Sequence, residues 1–329
     1  MSRMGLTVAA AAGACAAAWG ARLTSQSYVQ DGLVAQFDAI ENVGVGRHEN
    51  APAVWKDLKG GASIAVPSGA GWIDRAYDSK RITHTIKGMP EFYLDSVSTE
   101  VAMNRIENGP ANNYPRIIHH PASDGTYSVY LSGTGSTPQF FIEDRGSPRP
   151  TFNAFNAGTI GMVSDPAGYR TYNNGLYTGQ SSGGITATHK LAAAGDWAMN
   201  RQSGYLAGYY RALRHYDRPL TPYEFERNAV IDQLRFFSFT VTGTAGEAAR
   251  PWATAGWTPP HGRTEACPNT LTNDYAQVIA ATVSVAAADG VALRGLSLED
   301  GAKLALGAGV DVPVTREYYQ ALLDMAAKF

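Results

Sequence analysis

The sequence predicts an all-β fold: a two-sheet antiparallel jelly-roll sandwich with one short capped helix, then a small β-rich C-terminal region ending in a helix. Three observations predict it: many apolar runs of strand length, frequent turn residues between them, and a single segment with the chemistry of a helix start. Among 329 residues, 35 are glycine and 17 are tyrosine. Glycine marks turns and tyrosine favours strands, and this length suits about two domains.

The predicted strands lie within residues 31–239, which we assign to the sandwich. Residues 126–131 alternate between apolar and polar side chains, as expected of a half-buried strand. Asn174-Gly175 lies between tyrosine-rich flanks and is typical of a type I′ hairpin turn. Further candidate strands cover 32–37, 139–142, 159–163, 185–191 and 205–216.

One helix start interrupts the strand pattern. Thr221, Pro222 and Glu224 supply an N-cap hydroxyl, a proline at the first helical position and a carboxylate at the third. This combination is a capping box with the favoured proline. We expect the helix to reach about Leu234, and residues 236–239 to form a closing strand.

The two ends of the chain differ in composition from the sandwich. Within residues 1–30, the basic residue Arg3 precedes an alanine-rich stretch, and this is the outline of a bacterial secretory signal. Residues 240–270 are rich in proline and glycine and predict an extended linker. Residues 271–329 predict the β-rich module with a terminal helix. The signal favours a secreted or cell-surface protein; a virion component is the alternative.

Composition excludes several classes of protein. A net charge of −2 lacks the basic excess of a nucleic-acid binder. No apolar run reaches the roughly 18 residues that a spanning helix needs. Two cysteines are too few for a disulfide framework or a zinc cluster.

Three segments in order carry a family resemblance. They are DGLVAQFD at 31–38 followed by WKDL at 55–58, the hairpin YNNGLYTG at 172–179, and GYYRALRHYDRPLTPYE at 208–224. Together they resemble the bacterial laminin-G-like domains of the concanavalin A-like lectin/glucanase superfamily. The resemblance implies a secreted jelly roll that binds glycans or proteins, some members being glycosidases. It also implies a structural calcium ion at the sandwich rim, with Asp124 or Asp165 as candidate ligands; no other cofactor is expected.

Glycosidase chemistry lacks its usual signature here. Such enzymes need an acid and a nucleophile or base at a set separation, and glycosidases of this fold carry them on one strand, typically in an E-x-D-x-E pattern. The sequence has no such pattern, so we predict no catalytic residue. Residues 179–183 match G-x-S-x-G by letters, but a nucleophile elbow needs a following helix. We interpret this segment as a glycine-serine loop.

Aromatic and amide side chains are the remaining candidates for a site. Sugar-binding sites combine a stacking ring with hydrogen-bonding side chains. Two clusters have that composition: the first is Asn112, Asn113, Tyr114 and Arg116, and the second is Tyr172, Asn173 and Tyr177, with Tyr169 and Asn174 beside them. The sequence therefore predicts a non-catalytic protein that binds a carbohydrate or a surface protein. One alternative is a structural or assembly protein such as a phage fibre component; the other is a glycoside hydrolase with displaced carboxylates.

Overall fold

The structure is a computed structural model. It describes residues 22–73, 75–80, 82–89, 92–93, 96–105, 116–122, 125–131, 138–143, 157–181, 190–191, 197–201, 208–244, 246–260, 263–268, 274–310 and 312. The chain divides into two compact units. We call Tyr28–Ala229 the sandwich unit, and Met1–Ser27 with Val230–Phe329 the parallel-strand unit. The leader at 1–20 and the predicted helix at 316–329 lie outside the described residues.

Antiparallel strands in two large sheets build the sandwich unit. Sheet A has eight strands in the order β14-β13-β12-β8-β17-β5-β4, with β1 also paired to β17. Its strands are β1 (Leu33–Asp38), β4 (Gly71–Ile73), β5 (Ala76–Asp78), β8 (Val97–Arg105), β12 (Ala157–Asp165), β13 (Gly168–Asn173), β14 (Leu176–Ser181) and β17 (Gly208–Tyr216).

Sheet B has seven strands in the order β11-β10-β9-β16-β6-β3-β2. They are β2 (Val54–Lys56), β3 (Ser63–Ala65), β6 (His84–Lys87), β9 (Arg116–Ala122), β10 (Gly125–Leu131), β11 (Pro138–Glu143) and β16 (Trp197–Arg201). A separate pair joins β7 (Phe92–Tyr93) to β15 (Lys190–Leu191).

The hydrophobic core lies between the two sheets. Sheet A contributes residues such as Phe37, Val101 and Leu213, and sheet B contributes Trp55, Ile118 and Trp197. Side chains alternate between the two faces of each strand, so the residues next to these core positions point away from the space between the sheets. The predicted two-sheet antiparallel sandwich is thereby confirmed.

The first part of helix α1 (Pro222–Phe236), up to Ala229, packs on the face of sheet A that points away from sheet B, which we call the outer face. Phe225 of α1 packs there with Val163 and Tyr172. The helix starts as predicted: the Glu224 amide donates to Thr221 Oγ1 at 3.2 Å, and the Thr221 amide donates to Glu224 Oε2 at 2.9 Å. The boundary between the two units falls within α1, after Ala229.

The parallel-strand unit contains two three-stranded sheets whose strands are all parallel. One sheet is β18-β20-β22 and the other is β19-β21-β23, so each consecutive pair of strands adds one strand to each sheet. Their bounds are β18 (Phe239–Thr242), β19 (Arg250–Pro251), β20 (Tyr275–Ile279), β21 (Thr282–Val285), β22 (Gly295–Glu299) and β23 (Lys303–Leu306). Short 3₁₀ turns lie at Ser25–Ser27, Trp252–Thr254 and Ala287–Asp289.

This arrangement corrects two predictions. The described part of 240–270 is not an extended linker, because β19 pairs with β21 and Trp252 and Trp257 are buried in this unit's core. The predicted closing strand at 236–239 is also wrong. Phe236 ends α1, and the strand begins only at Phe239. A coil of parallel strands buries apolar residues that are far apart in sequence, so proline-rich connections gain partners that local composition does not reveal.

Candidate functional site

The β13–β14 hairpin is held rigidly at its turn. Asn174 and Gly175 both have positive φ, 49° and 80°, as a type I′ turn requires. Asn174 Oδ1 accepts from the Thr159 amide at 2.9 Å, which ties the turn to β12. A Cβ on Gly175 would lie 2.5 Å from Glu226 Cα, so glycine is needed where the turn meets α1. The predicted hairpin is confirmed.

Three aromatic rings form a column on the outer face beside this turn. Phe225 of α1 stacks on Tyr172, with ring centroids 4.2 Å apart and planes 18° apart. Tyr177 packs edge-on against Tyr172, with ring centroids 6.0 Å apart. Tyr172 is 2% exposed, whereas Tyr177 is 55% exposed. The column therefore presents one exposed ring on a buried support.

An arginine–aspartate pair lies farther along the same face. Arg170 precedes Tyr172 by two positions on β13, so both side chains lie on one face of the strand. Arg170 is in register with Val163, which packs in the outer-face cluster. Its Nη2 contacts Asp165 Oδ2, and Asp165 Oδ1 accepts from the Ala167 amide at 2.9 Å. Both groups keep part of their surface in solvent, with side-chain exposures of 27% and 13%.

The charged pair and Tyr177 also affect the pKa of the Tyr172 hydroxyl. Burial is the main reason that the pKa of Tyr172 is raised above its ordinary value. The Arg170 charge opposes the rise, while Tyr177 and Asp165 add to it. We call Asp165, Arg170, Tyr172 and Tyr177 the outer-face site.

The sequence-predicted second cluster is thus divided by the sheet. Tyr177 is exposed as a binding ring should be, but Tyr172 is a buried support and not a stacking surface. Tyr169 belongs to the core between the sheets. Asn173 is in register with the core residue Ile160, on the face opposite Tyr172. The sequence analysis missed Arg170, because a charged residue on a tyrosine-rich strand gives no signal until its register is known.

Most of the first predicted cluster cannot be placed. Asn112, Asn113 and Tyr114 lie outside the described residues, as does Asp124. Arg116 is the first residue of β9 in sheet B. Arg116 therefore lies in a different sheet from the outer-face site.

A second polar group on the outer face is fully enclosed. Glu100 Oε2 accepts from Arg214 Nε and from Asn228 Nδ2, both at 2.8 Å. The Arg214 guanidinium lies 4.1 Å from the centroid of the Tyr28 ring. Asn228 also donates to the Tyr216 hydroxyl at 2.9 Å. The two charges are paired with each other, and their burial keeps them out of reach of a ligand.

An aromatic and histidine cluster lies between strands β4 and β5 of sheet A and strands β2 and β6 of sheet B. The rings of Trp55, Trp72 and Tyr77 contact one another, and the Tyr77 hydroxyl lies 3.1 Å from His84 Nδ1. His84 Nε2 lies 3.0 Å from the Ser79 carbonyl oxygen. Burial lowers the pKa of His84 despite this backbone hydrogen bond. A neutral His84 that donates to Ser79 and accepts from Tyr77 fits this geometry, so we assign the cluster to packing.

The structure bears on two further expectations. Among the described residues, no group of three or more His, Cys, Asp or Glu side chains is placed to hold a metal ion. The carboxylate of Asp165, a predicted calcium ligand, instead pairs with Arg170. In the G-x-S-x-G segment, Gly179 to Ser181 belong to strand β14, which corrects the interpretation as a loop.

No helix in the described part of the chain is long and apolar enough to cross a membrane.

Comparisons with known proteins identify a fold and no family. No protein-family model matches the sequence, and no curated protein matches it. The solved structure of a variant of HCR/D aligns with a TM-score of 0.51 at 10% identity, over 63% of this chain and 53% of that one. A sialidase from Trypanosoma rangeli aligns with a TM-score of 0.40 at 10% identity, over 61% of this chain and 32% of that one.

Domain 4 of AbnA, a GH43 extracellular arabinanase from Geobacillus stearothermophilus solved with arabinotriose, aligns with a TM-score of 0.41 at 12% identity. The alignment covers 60% of this chain and 98% of that domain. This chain thus spans about half of HCR/D and about a third of the sialidase. At such identities the likeness concerns the course of the backbone only, and what it establishes for this chain is a β-sandwich fold.

Proposed function

We propose that this chain is a non-catalytic binding protein whose sandwich unit recognises a glycan through the outer-face site. The observation that carries the proposal is Tyr177, an exposed ring that packs on the buried Tyr172 and shares the outer face with a hydrogen-bonding pair. A sugar offers an apolar face to an aromatic ring and hydroxyls to charged neighbours. The site has both kinds of partner on three neighbouring strands, β12, β13 and β14.

The rigidity of the hairpin supports this proposal. A binding surface that is fixed before the ligand arrives loses less conformational entropy on binding. The turn is fixed by its positive φ angles and by the two Asn174–Thr159 hydrogen bonds, at 2.7 and 2.9 Å.

We further propose that the chain is exported and that its sandwich is of the concanavalin A-like, laminin-G-like type. The β-sandwich fold supports the second statement, and the alanine-rich start of the sequence supports the first. If the leader is removed, protein isolated from its native host should begin between about Ala17 and Arg22, the interval that signal-peptide spacing indicates. An intact Met1 in exported protein would contradict cleavage.

Affinity electrophoresis through gels that contain single polysaccharides tests the binding proposal. We expect at least one polysaccharide to retard the full chain, and Tyr177→Ala to reduce the affinity about tenfold, the scale of one lost aromatic contact. Tyr177→Phe should bind like the wild type, because it keeps the ring.

Ile73→Ala is the matched control. Ile73 is an exposed apolar residue on β4, at the edge of sheet A opposite β14. With neighbouring strands about 4.8 Å apart, the two positions are separated by roughly 25–30 Å. Equal loss of binding in both variants would contradict the proposed location. Tyr177-dependent self-association with no polysaccharide binding would replace the proposal with the assembly role.

A further inference from the structure

We infer that the ligand of the outer-face site is a neutral saccharide with vicinal hydroxyl groups, bound by Asp165 and Arg170 together. This inference rests on the proposed function and adds the chemical class of the ligand. In the complex one sugar ring stacks on Tyr177. A neighbouring pair of hydroxyls donates to the Asp165 carboxylate and accepts from the Arg170 guanidinium.

The charges of the site favour a neutral ligand. Arg170 is already paired with Asp165, so the pair as a whole carries no net charge. A carboxylated or sulfated sugar that approached Arg170 would place its anion beside the Asp165 carboxylate. The two negative charges would repel each other, and this repulsion would weaken the binding of an acidic sugar.

The donor and acceptor pattern fits a vicinal diol. A carboxylate only accepts hydrogen bonds and a guanidinium only donates them. Each hydroxyl can do both, so adjacent hydroxyls can satisfy the two groups at once. An aliphatic or purely anionic ligand would leave part of this set without a partner.

The spacing of the residues sets the length of the ligand. Arg170 and Tyr172 are two positions apart on β13, about 7 Å along the strand at the usual rise. Tyr177 lies opposite Tyr172 on β14. A ring stacked on Tyr177 therefore does not itself reach Asp165. The site fits two linked sugar units, one on the ring and one on the charged pair.

The test changes the charge of the pair and reads the change in ligand preference. The full chain is screened against neutral polysaccharides (arabinan, galactomannan, β-glucan) and acidic ones (polygalacturonate, heparin). We expect wild type to bind a neutral member. Asp165→Asn should weaken that binding about tenfold and gain affinity for an acidic member, because Arg170 then carries an uncompensated charge.

Asp300→Asn is the control for loss of one negative charge. Asp300 is an exposed turn residue of the parallel-strand unit with a φ of 53°, a conformation that asparagine tolerates. This variant should keep the wild-type preference. The same shift in both variants would overturn the inference, because net charge alone would then explain it.

The two levels of the proposal fail in different ways. Tyr177-dependent binding confined to acidic polysaccharides overturns the neutral class and leaves the proposed function standing. Neutral binding that Asp165→Asn and Arg170→Gln both leave unchanged removes the charged pair from the site. Binding to no member of the panel overturns the proposed function and the inference with it.

Discussion

Two arginine–carboxylate pairs on the outer face of sheet A have the same chemistry and opposite surroundings. Arg214 and Glu100 have side-chain exposures of 1% and 0%, whereas Arg170 and Asp165 keep 27% and 13%. Asn228 of α1 and the Tyr28 ring enclose the first pair. The second pair lies toward the edge of the sheet, beside the exposed Tyr177. What covers each pair therefore decides whether it serves the fold or is available to a ligand.

Removing one partner of the enclosed pair should have the largest effect. Glu100→Ala leaves Arg214 charged and buried, so the free energy of unfolding should fall by about 3–5 kcal/mol. Urea denaturation of the full chain measures this loss. The double variant Arg214→Met with Glu100→Leu should recover most of it, because no isolated charge remains. A loss below about 1 kcal/mol in Glu100→Ala would mean that solvent reaches this pair too.

Removing the N-cap of α1, the helix that supplies Asn228 to the enclosed pair, should have a smaller effect on stability. Thr221→Ala removes the hydroxyl that accepts from the Glu224 amide, so the free energy of unfolding should fall by about 1 kcal/mol. Thr221→Ser keeps that hydroxyl and serves as the control in thermal denaturation. Equal stability of wild type and Thr221→Ala would show that packing alone fixes the start of the helix.

Low pH should lower the stability of the protein by protonating Glu224 at the start of α1. Burial alone would raise the pKa of Glu224, but hydrogen bonds from Arg218 and Thr221 lower it below the ordinary value. The unfolded chain therefore binds this proton first, and stability falls as the pH drops below the ordinary glutamate pKa of about 4.3 and through the lowered value. Glu224→Gln should lose this part of the pH dependence in denaturation curves recorded at several pH values. An unchanged pH profile would contradict the role given to the Arg218–Glu224 pair.

Breaking the open pair should change stability least. Asp165→Ala removes a partly solvated ion pair, and such pairs contribute about 0.5 kcal/mol. Urea denaturation should therefore hardly distinguish this variant from wild type, in contrast with Glu100→Ala. A loss as large as that of Glu100→Ala would make the Asp165–Arg170 pair structural and would remove the contrast between the two pairs.

Local chemistry was sufficient to predict the parts of the fold that local chemistry determines. The Asn174-Gly175 turn and the Thr221–Glu224 capping box follow from residues within four positions of one another, and both form as predicted. The parallel sheets depend on contacts such as Arg250 with Val283, which are far apart in the sequence. Proline-rich composition therefore suggested a linker where strands pair.

The candidate site was predictable only in part for the same reason. Tyrosine and asparagine at 169–177 identified the hairpin, but composition does not say which residues share a face. Register with β12 places Tyr172 beside Phe225, and Asn173 on the other face. Arg170 gained its importance from Asp165, its partner across the β12–β13 turn.

Mapping the ligand on the isotopically labelled full chain by NMR tests the central claim most directly. During titration with the best-binding neutral polysaccharide fragment, the amide signals of Asp165, Arg170, Tyr172 and Tyr177 should shift together. Those of Gly71–Ile73, at the opposite edge of sheet A, should stay in place. Shifts that cluster at that opposite edge or in sheet B, with the outer-face site unmoved, would contradict the account.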